Sequence, residues 1–362
     1  MRRAAPLILG GGPAGSAAAI TLARAGFRPV VFERARETGD ALCGGFLSWR
    51  TLDRLRMLGI EPDRLNPRRI TGVRVFAGGR DIEAPLPSPA LAVSRHTLDA
   101  AMLDQAERSG AGVERGAAAR TAGACGVTLA DGSALASDAL FLATGKHDLR
   151  GLPRPTPGPA DDPTLGIRVR LRPSDTERRS LEGAIELHLF DRGYAGLAIQ
   201  DDGTANLCLA VRRSRLREAG DPERLLQAIA VHAPAFADRL AMERAGASTD
   251  AVANVPYGWR ATEGTSGLFR LGDQAAVIPS LAGEGMGIAI ASGCSAATAY
   301  VCGGAAASEG WQPRFAVHAR RPLQVAALVR DLAEGRLAAH ALPILRRAPF
   351  LIQVVARATR IA

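Results

Sequence analysis

Apolar and polar positions along the chain alternate with two periods, and the alternation predicts a mixed α/β protein. Leu7-Ile8-Leu9 is a short, fully apolar run, and the Ala/Leu-rich stretch Ser16 to Ala25 beyond it reads as a helix. Gly26 ends that helix, and Pro29-Val30-Val31-Phe32 reads as a second buried strand. Residues 71–93 alternate apolar and polar side chains, which predicts strands with one buried face. Helical spacing returns over Leu98 to Ser109, and an apolar strand ends at Leu142. Ile185 to Leu189 and Tyr194 to Ile199 read as paired strands around Asp191-Arg192-Gly193. A helix over Pro222 to Leu240, a strand at Leu268-Phe269-Arg270-Leu271 and a helical end from Arg320 to Ala362 complete the pattern.

Between the first strand and helix stands Gly10-Gly11-Gly12-Pro13-Ala14-Gly15, a GxGxxG turn. In that setting Gly10 allows the tight turn, Gly12 lets the backbone approach a pyrophosphate, and Gly15 lets helix and strand pack closely. The helix N-terminus offers free N–H groups and a positive dipole end to the phosphates. Glu33, at the end of the second strand and followed by Arg34, is placed to accept from ribose hydroxyls. A second glycine-rich element lies far along the chain: Gly272-Asp273, Pro279, then Gly283-Glu284-Gly285-Met286-Gly287 opening a long small-residue helix. Asp273 can hold a ribityl hydroxyl, and the helix start behind it suits a flavin ring that carries negative charge when reduced. Two cofactor elements so far apart imply a long ligand, and FAD fits. The chain has no second GxGxxG, so reducing equivalents are expected from transient NAD(P)H binding or from a partner.

These residues resemble the superfamily of FAD-dependent aromatic hydroxylases (group A flavoprotein monooxygenases) and geranylgeranyl reductases. The resemblance covers about 1–150 and 255–305 and rests on the glycine turn, Gly272-Asp273, Pro279 and Gly283-Glu284-Gly285. Ser94-Arg95-His96-Thr97-Leu98-Asp99 matches the segment whose arginine lies along the FAD, and Phe141-Leu142-Ala143-Thr144-Gly145 matches the strand returning to the adenine side. The likeness implies a Rossmann-like FAD-binding domain with an inserted antiparallel-sheet substrate domain and a helical C-terminus. On that plan residues 1–70, 94–150 and 261–320 bind FAD, 71–93 and 164–260 hold the substrate, and 321–362 are C-terminal helices. The stretch Leu152 to Pro163, with five prolines, is read as a linker. The Asp-Gly pair that hydroxylases carry after the returning strand is absent here, where Ala143-Thr144-Gly145-Lys146-His147-Asp148 stands. Leu42-Cys43-Gly44-Gly45 resembles the Cys-Gly segment that lies near the flavin in the reductases. Of the reductases' aromatic substrate strand only Tyr194 has a counterpart, so the prenyl substrate does not carry over.

Composition narrows the alternatives. The net charge of +9 comes from 45 basic residues, all arginine except Lys146, and they are dispersed rather than interleaved with aromatics. That distribution describes a solvated surface rather than a nucleic-acid footprint. Cys43, Cys125, Cys208, Cys294 and Cys302 form no CxxC pair and no zinc spacing, so no metal is expected, and a reducing cytoplasm suits them. Gly285 to Ala307 is long enough to span a bilayer but is Ala/Gly/Ser-rich, which fits a buried helix better.

Cys43, Tyr194 and Lys146 are the candidate catalytic residues: a thiol that could donate a proton, a hydroxyl on the substrate sheet, and a compact ammonium. His147, His188, Tyr257 and Trp259 are further candidates, the last two expected on one face of an extended segment. In the last segment Arg346, Gln353, Arg357 and Arg360 fall on one helical stripe beside apolar positions. Such a helix could touch a membrane and collect a lipophilic substrate, or pack on the body of the protein. The expected function is reduction of a small, largely apolar, isoprenoid- or polyketide-like molecule by hydride from flavin N5. The alternatives are a monooxygenase using NAD(P)H and O2, and a non-catalytic binding protein on a nucleotide fold.

Overall fold

Five short strands form a parallel sheet in the order Leu268–Arg270, Leu140–Leu142, Leu7–Leu9, Val30–Glu33, Gly112–Arg115. Their side chains alternate between two cores, as a period of two requires. Ile8, Val31, Phe141 and Phe269 join a helical core, while Leu7, Leu9, Leu140 and Leu142 meet a small three-stranded sheet on the other face. The computed structural model describes residues 5–123, 126–154, 162–246, 249–252, 255–335 and 338–361. Cys125 and most of the proline-rich stretch 152–163 lie outside the described residues.

The helical core is built on the contact between Pro13–Arg24 and Gly285–Gly303. Small residues make it possible: a Cβ on Gly293 would overlap the Ala14 carbonyl oxygen. The Gly285–Gly303 helix is long and apolar enough to cross a membrane, yet over half of it is buried inside the protein. Arg95–Arg108 packs beside the same pair and starts at Ser94, whose hydroxyl accepts from the Thr97 N–H.

A nine-stranded sheet forms the second body of the fold. Its path runs Glu243–Arg244, Thr164–Arg172, Ala205–Arg212, Gly193–Ile199, Ala184–Phe190, Ile70–Ala77, Arg80–Ala92, Phe46–Leu47, with Asp250–Val252 paired on Thr164–Arg172. The sequence led us to expect an antiparallel sheet, but Ala184–Phe190 runs parallel to Ile70–Ala77. The chain leaves the sheet after residue 92 and re-enters at Thr164, so these neighbours are joined by a long crossover that a parallel pair permits. The expected hairpin is present, with a two-residue turn at Asp191-Arg192. Arg192 takes the left-handed conformation (φ 59°) such a turn demands, while Gly193 is already paired.

One face of this sheet is covered by helices. Ile167, Val169, Ala195, Leu197, Leu207 and Leu209 pack under Leu225, Ile229 and Phe236. The helix expected over Pro222 to Leu240 is two, Pro222–His232 and Pro234–Leu240. Pro234 excludes Ala233 from helical geometry, and Ala233 sits at φ −136°, ψ 84°. At the C-terminus, Ala307–Ala333 begins well before Arg320, followed by Ala338–Arg347 and Phe350–Ala358. The break before Pro349 divides the stripe read from the sequence as one helix face.

Candidate flavin and substrate site

The glycine turn is shaped by what its residues lack. Gly10 has φ +105°, and a Cβ there would stand 2.5 Å from the Ala143 carbonyl oxygen. A Cβ on Gly15 would overlap the Gly10 carbonyl oxygen. Pro13 occupies the first turn of the helix, where it sacrifices no hydrogen bond, and Gly12 caps it without a side chain. Free N–H groups therefore face outward at the turn. Glu33 accepts the Gly11 N–H at 2.7 Å and the Ala35 N–H at 2.9 Å, which fixes its carboxylate at the end of its strand.

Arg95 lies over this turn, its Nη2 within 3.3 Å of the Cβ position of Gly12. It donates to both oxygens of Asp99 at 2.8 and 2.6 Å. Burial works against its charge, but Asp99 outweighs burial and holds the guanidinium protonated beyond its ordinary range. Ala143 donates its N–H to Leu9, Gly145 (φ +61°) turns the chain, and Gln274 donates to the Gly145 carbonyl at 2.9 Å. Thr144 donates to the His147 carbonyl at 2.7 Å, and Arg34 lies 3.0 Å from the His147 ring. Burial, then the charges of Arg34, Lys146 and Arg154, lower the pKa of His147. Those neighbours favour the neutral ring.

The far glycine element comes to the same crevice. Gly272 (φ +56°) donates its N–H to Ser292 of the long helix at 2.8 Å. The Asp273 carboxylate receives no hydrogen bond from any described residue, which leaves it free for a ribityl hydroxyl. Pro279 leads into a short turn, Ser280–Ala282, and Gly283 (φ +62°) follows it, its Cβ position blocked by the Phe46 ring at 2.8 Å. Gly285, Met286 and Gly287 start the long helix with no side-chain cap and no acid in the first turn. Two uncapped helix N-termini, an acceptor at each end and an arginine between them fit FAD. When bound, FAD supplies two-electron redox chemistry at its ring.

Glu284, fully buried, was expected to lie along the cofactor, but its carboxylate is engaged elsewhere. It accepts from Ser48 at 3.0 Å and from Arg360 at 2.7 Å. Arg360 also donates to the Ala282 and Gly283 carbonyls and lies over the Phe46 and Trp49 rings. The sequence placed Arg360 on one stripe of a helix that could touch a membrane or pack on the body of the protein; it is 7 % exposed and clasps the loop in front of the long helix.

At Gly193–Ile199 and Ala205–Arg212 the sheet face opposite the Pro222–His232 and Pro234–Leu240 helices turns toward this crevice. Strand alternation puts Tyr194, Gly196 and Ala198 on it, opposite Ala210, Cys208 and Asn206. Cys208 donates its S–H to the Cys43 carbonyl at 3.3 Å, and Asn206 donates to the same oxygen at 2.9 Å. The Cys43–Gly44–Gly45 loop is thereby anchored on the sheet, with the Gly45 N–H 3.5 Å from the Cys43 sulfur. Burial, then the neighbouring Cys43, pushes the Cys208 thiol up to about 12, so it carries its proton. Lys146 is within electrostatic reach of Cys208, and its carbonyl accepts from Arg154 at 2.7 Å. Arg168 and Arg170 on the adjoining strand pair with Asp40.

Tyr194 and Tyr257 each place a hydroxyl 2.6 Å from Ser280 Oγ. Burial first, then the neighbouring tyrosine, raises the Tyr194 pKa well above its ordinary value; burial also raises that of Tyr257. Both stay protonated, and the three hydroxyls link the sheet to the loop before the long helix. Tyr257 and Trp259 were expected to share one face of an extended segment. A turn at Gly258 (φ +87°) separates them, and Trp259 reaches the Gln274 carbonyl. His188 is also turned away from the crevice. It pairs across from Ala195 on the helix-covered face, lies 3.3 Å from Glu186 and stacks on Phe76. Ser280, Asn206 and Cys208 were not recognised as site residues; only the alternation of Ala205–Arg212 hinted that two of them share a face.

Among the described residues no cluster of His, Cys, Asp and Glu could hold a metal ion. Hollows of about 360 Å³ beside Arg192 and Glu334 and about 350 Å³ beside Arg74 and Glu83 contain none of the crevice residues.

Comparison with known proteins agrees with this geometry. Residues 3–141 match the family model for an FAD binding domain. A menaquinone reductase from Mycolicibacterium smegmatis is 29% identical over an alignment of 353 positions that covers 90% of this chain and 83% of that protein. A geranylgeranyl bacteriochlorophyll reductase-like protein from Thermoplasma acidophilum superposes with TM-score 0.73 at 19% identity, covering 99% of this chain and 94% of the other. A probable FAD-dependent monooxygenase from Pseudomonas aeruginosa gives 0.70 at 18% identity, covering 92% and 98%.

Proposed function

We propose that this FAD-dependent oxidoreductase, built on the fold shared by geranylgeranyl reductase-like proteins and FAD-dependent monooxygenases, reduces a polarised double bond in a small, largely apolar molecule. The observation that carries the reading is the hydroxyl chain Tyr194–Ser280–Tyr257, which joins the sheet to the glycine-rich loop of the cofactor crevice. Reduction of a double bond needs a hydride, which reduced FAD supplies, and a proton, which the protein must hold ready. Buried hydroxyls of raised pKa hold that proton at neutral pH. Cys43, held by its carbonyl on Asn206 and Cys208, is the second proton donor, and Lys146 supplies positive potential at the same end of the crevice. The sheet face beside Tyr194 is apolar: Ile185, Leu187 and Leu189 share it on the neighbouring strand, packed under the two last helices. The likeness to a menaquinone reductase makes an isoprenoid quinone the substrate class to test first.

The test is anaerobic single turnover. The purified protein should be yellow, and once reduced its flavin should reoxidise on mixing with a menaquinone analogue without oxygen. Tyr194→Phe should retain FAD and slow that step roughly ten- to hundredfold. Cys43→Ala should also keep FAD bound but slow turnover; an unchanged rate removes Cys43 from the mechanism. The likeness to a probable monooxygenase favours one second reading, oxygenation of the substrate at the expense of NAD(P)H. Reoxidation that requires oxygen and adds an oxygen atom to the product would establish that reading and defeat ours.

A further inference from the structure

The two last helices present different chemistry on their two sides. Inward, Ala338, Leu342, Leu345 and Ile352 pack on Val73, Val75 and Ile82 of the large sheet. That is the sheet face whose neighbouring strands carry Leu187, Leu189 and Tyr194. Outward, Ile344 and Phe350 are 62 % and 61 % exposed, and Val354 is 52 % exposed. Three exposed arginines, Arg346, Arg347 and Arg357, stand among them. Ile344, Arg346, Arg347 and Phe350 crowd a single bend, closed by the Ala348 N–H on the Ile344 and Leu345 carbonyls. Residues 335–362 hold five arginines and no aspartate or glutamate, against a chain that elsewhere mixes both signs.

We infer that this bend docks the protein on an anionic lipid surface. Its apolar side chains enter the boundary between headgroups and acyl chains while the arginines meet the phosphates. A second copy of the chain is a poorer occupant, because a self-complementary contact here would set arginine against arginine. The docked bend joins the two helices that cover the apolar sheet, which sets that side of the protein against the bilayer. Arg360 takes no part, since it is buried against Glu284.

Docking is read without substrate, so it stands or falls separately from the proposed reaction. The FAD-loaded protein is sedimented with vesicles of phosphatidylcholine alone or with about 30% phosphatidylglycerol. Binding should be confined to the anionic vesicles and weaken as salt is added. Phe350→Ser should weaken it about tenfold, and the double variant Arg346→Gln/Arg347→Gln about twentyfold. The flavin spectrum of each variant should match the parent, which separates lost docking from lost folding; Val354→Ser serves if Phe350→Ser fails that check. Equal binding to neutral and anionic vesicles, or variants that sediment like the parent, would overturn the inference. So would a concentration-dependent dimer that Phe350→Ser dissociates in a protein that ignores vesicles.

Discussion

The parallel sheet presents one end and the nine-stranded sheet one face to the same crevice, and they do it with opposite means. The parallel sheet offers backbone. Gly10, Gly12 and Gly15 contribute by having no side chain, and the helices behind them approach within contact of bare peptide groups. The nine-stranded sheet offers side chains: Tyr194, Asn206 and Cys208 project from strands whose backbone is fully engaged in pairing. A surface made of backbone can be read from spacing and tolerates almost no change. A surface made of side chains can be altered residue by residue, which suits it to substrate choice.

The largest effect should come from adding a methyl group to the backbone surface. Gly15→Ala would drive a Cβ into the Gly10 carbonyl oxygen, an atom fixed by the turn and unable to retreat. We expect a loss of about 5 kcal/mol and no FAD retained through gel filtration, measured by flavin absorbance and thermal unfolding. Next comes the clasp between the two bodies. Arg360→Ala leaves the Glu284 carboxylate buried with Ser48 and the Ile361 N–H for company. Breaking a buried pair from one side costs about 4 kcal/mol. Because Arg360 also holds the Ala282 and Gly283 carbonyls, FAD affinity should fall with stability. A variant that unfolds earlier yet binds FAD as tightly would confine Arg360 to a structural role.

These two sites also mark how far the sequence could be read. The glycine turn was legible because its function depends on residues within one strand–turn–helix unit. Tyr194 could be placed on the sheet by alternation, but its partner Ser280 is 86 residues away. The Glu284–Arg360 pair spans 76 residues, and a helical wheel that set Arg360 on one stripe with Arg346, Gln353 and Arg357 contains no sign of it. Alternation likewise says that Glu186 and His188 share a face without saying which face meets the cofactor. Long-range pairing decides such questions, and a local pattern does not contain it.

Glu186, on the helix-covered face, tests whether the large sheet holds fixed charge away from the crevice. Burial opposes its ionisation, but hydrogen bonds from His188 and Arg239 outweigh burial and bring the carboxyl from 4.5 down to about 2. A lowered folded-state pKa means stability that is complete above pH 4.5 and lost as pH falls toward 2. The shift corresponds to about 3 kcal/mol. Urea unfolding across that range should show the parent losing this much more than Glu186→Gln, which has no carboxyl to protonate. Parallel curves would remove Glu186 from the acid response.

The smallest change makes the sharpest contrast. Gly196→Ala adds the same methyl group as Gly15→Ala, but on the side-chain-built surface. Its Cβ would meet nothing closer than the Leu187 methyl at 3.8 Å, and Gly196 has no positive φ to lose. Stability should move by less than about 0.5 kcal/mol, since alanine also restricts the unfolded chain. FAD should stay bound, because the new Cβ meets only Leu187 and Glu186 and reaches no residue of the cofactor loops. The added carbon stands beside Tyr194 on the crevice face, so it takes volume from whatever lies there. KM for an apolar substrate should therefore change severalfold while the flavin spectrum does not. If Gly196→Ala expelled FAD, or if larger residues at 196 left KM untouched, the division between a backbone surface for the cofactor and a side-chain surface for the substrate would fail.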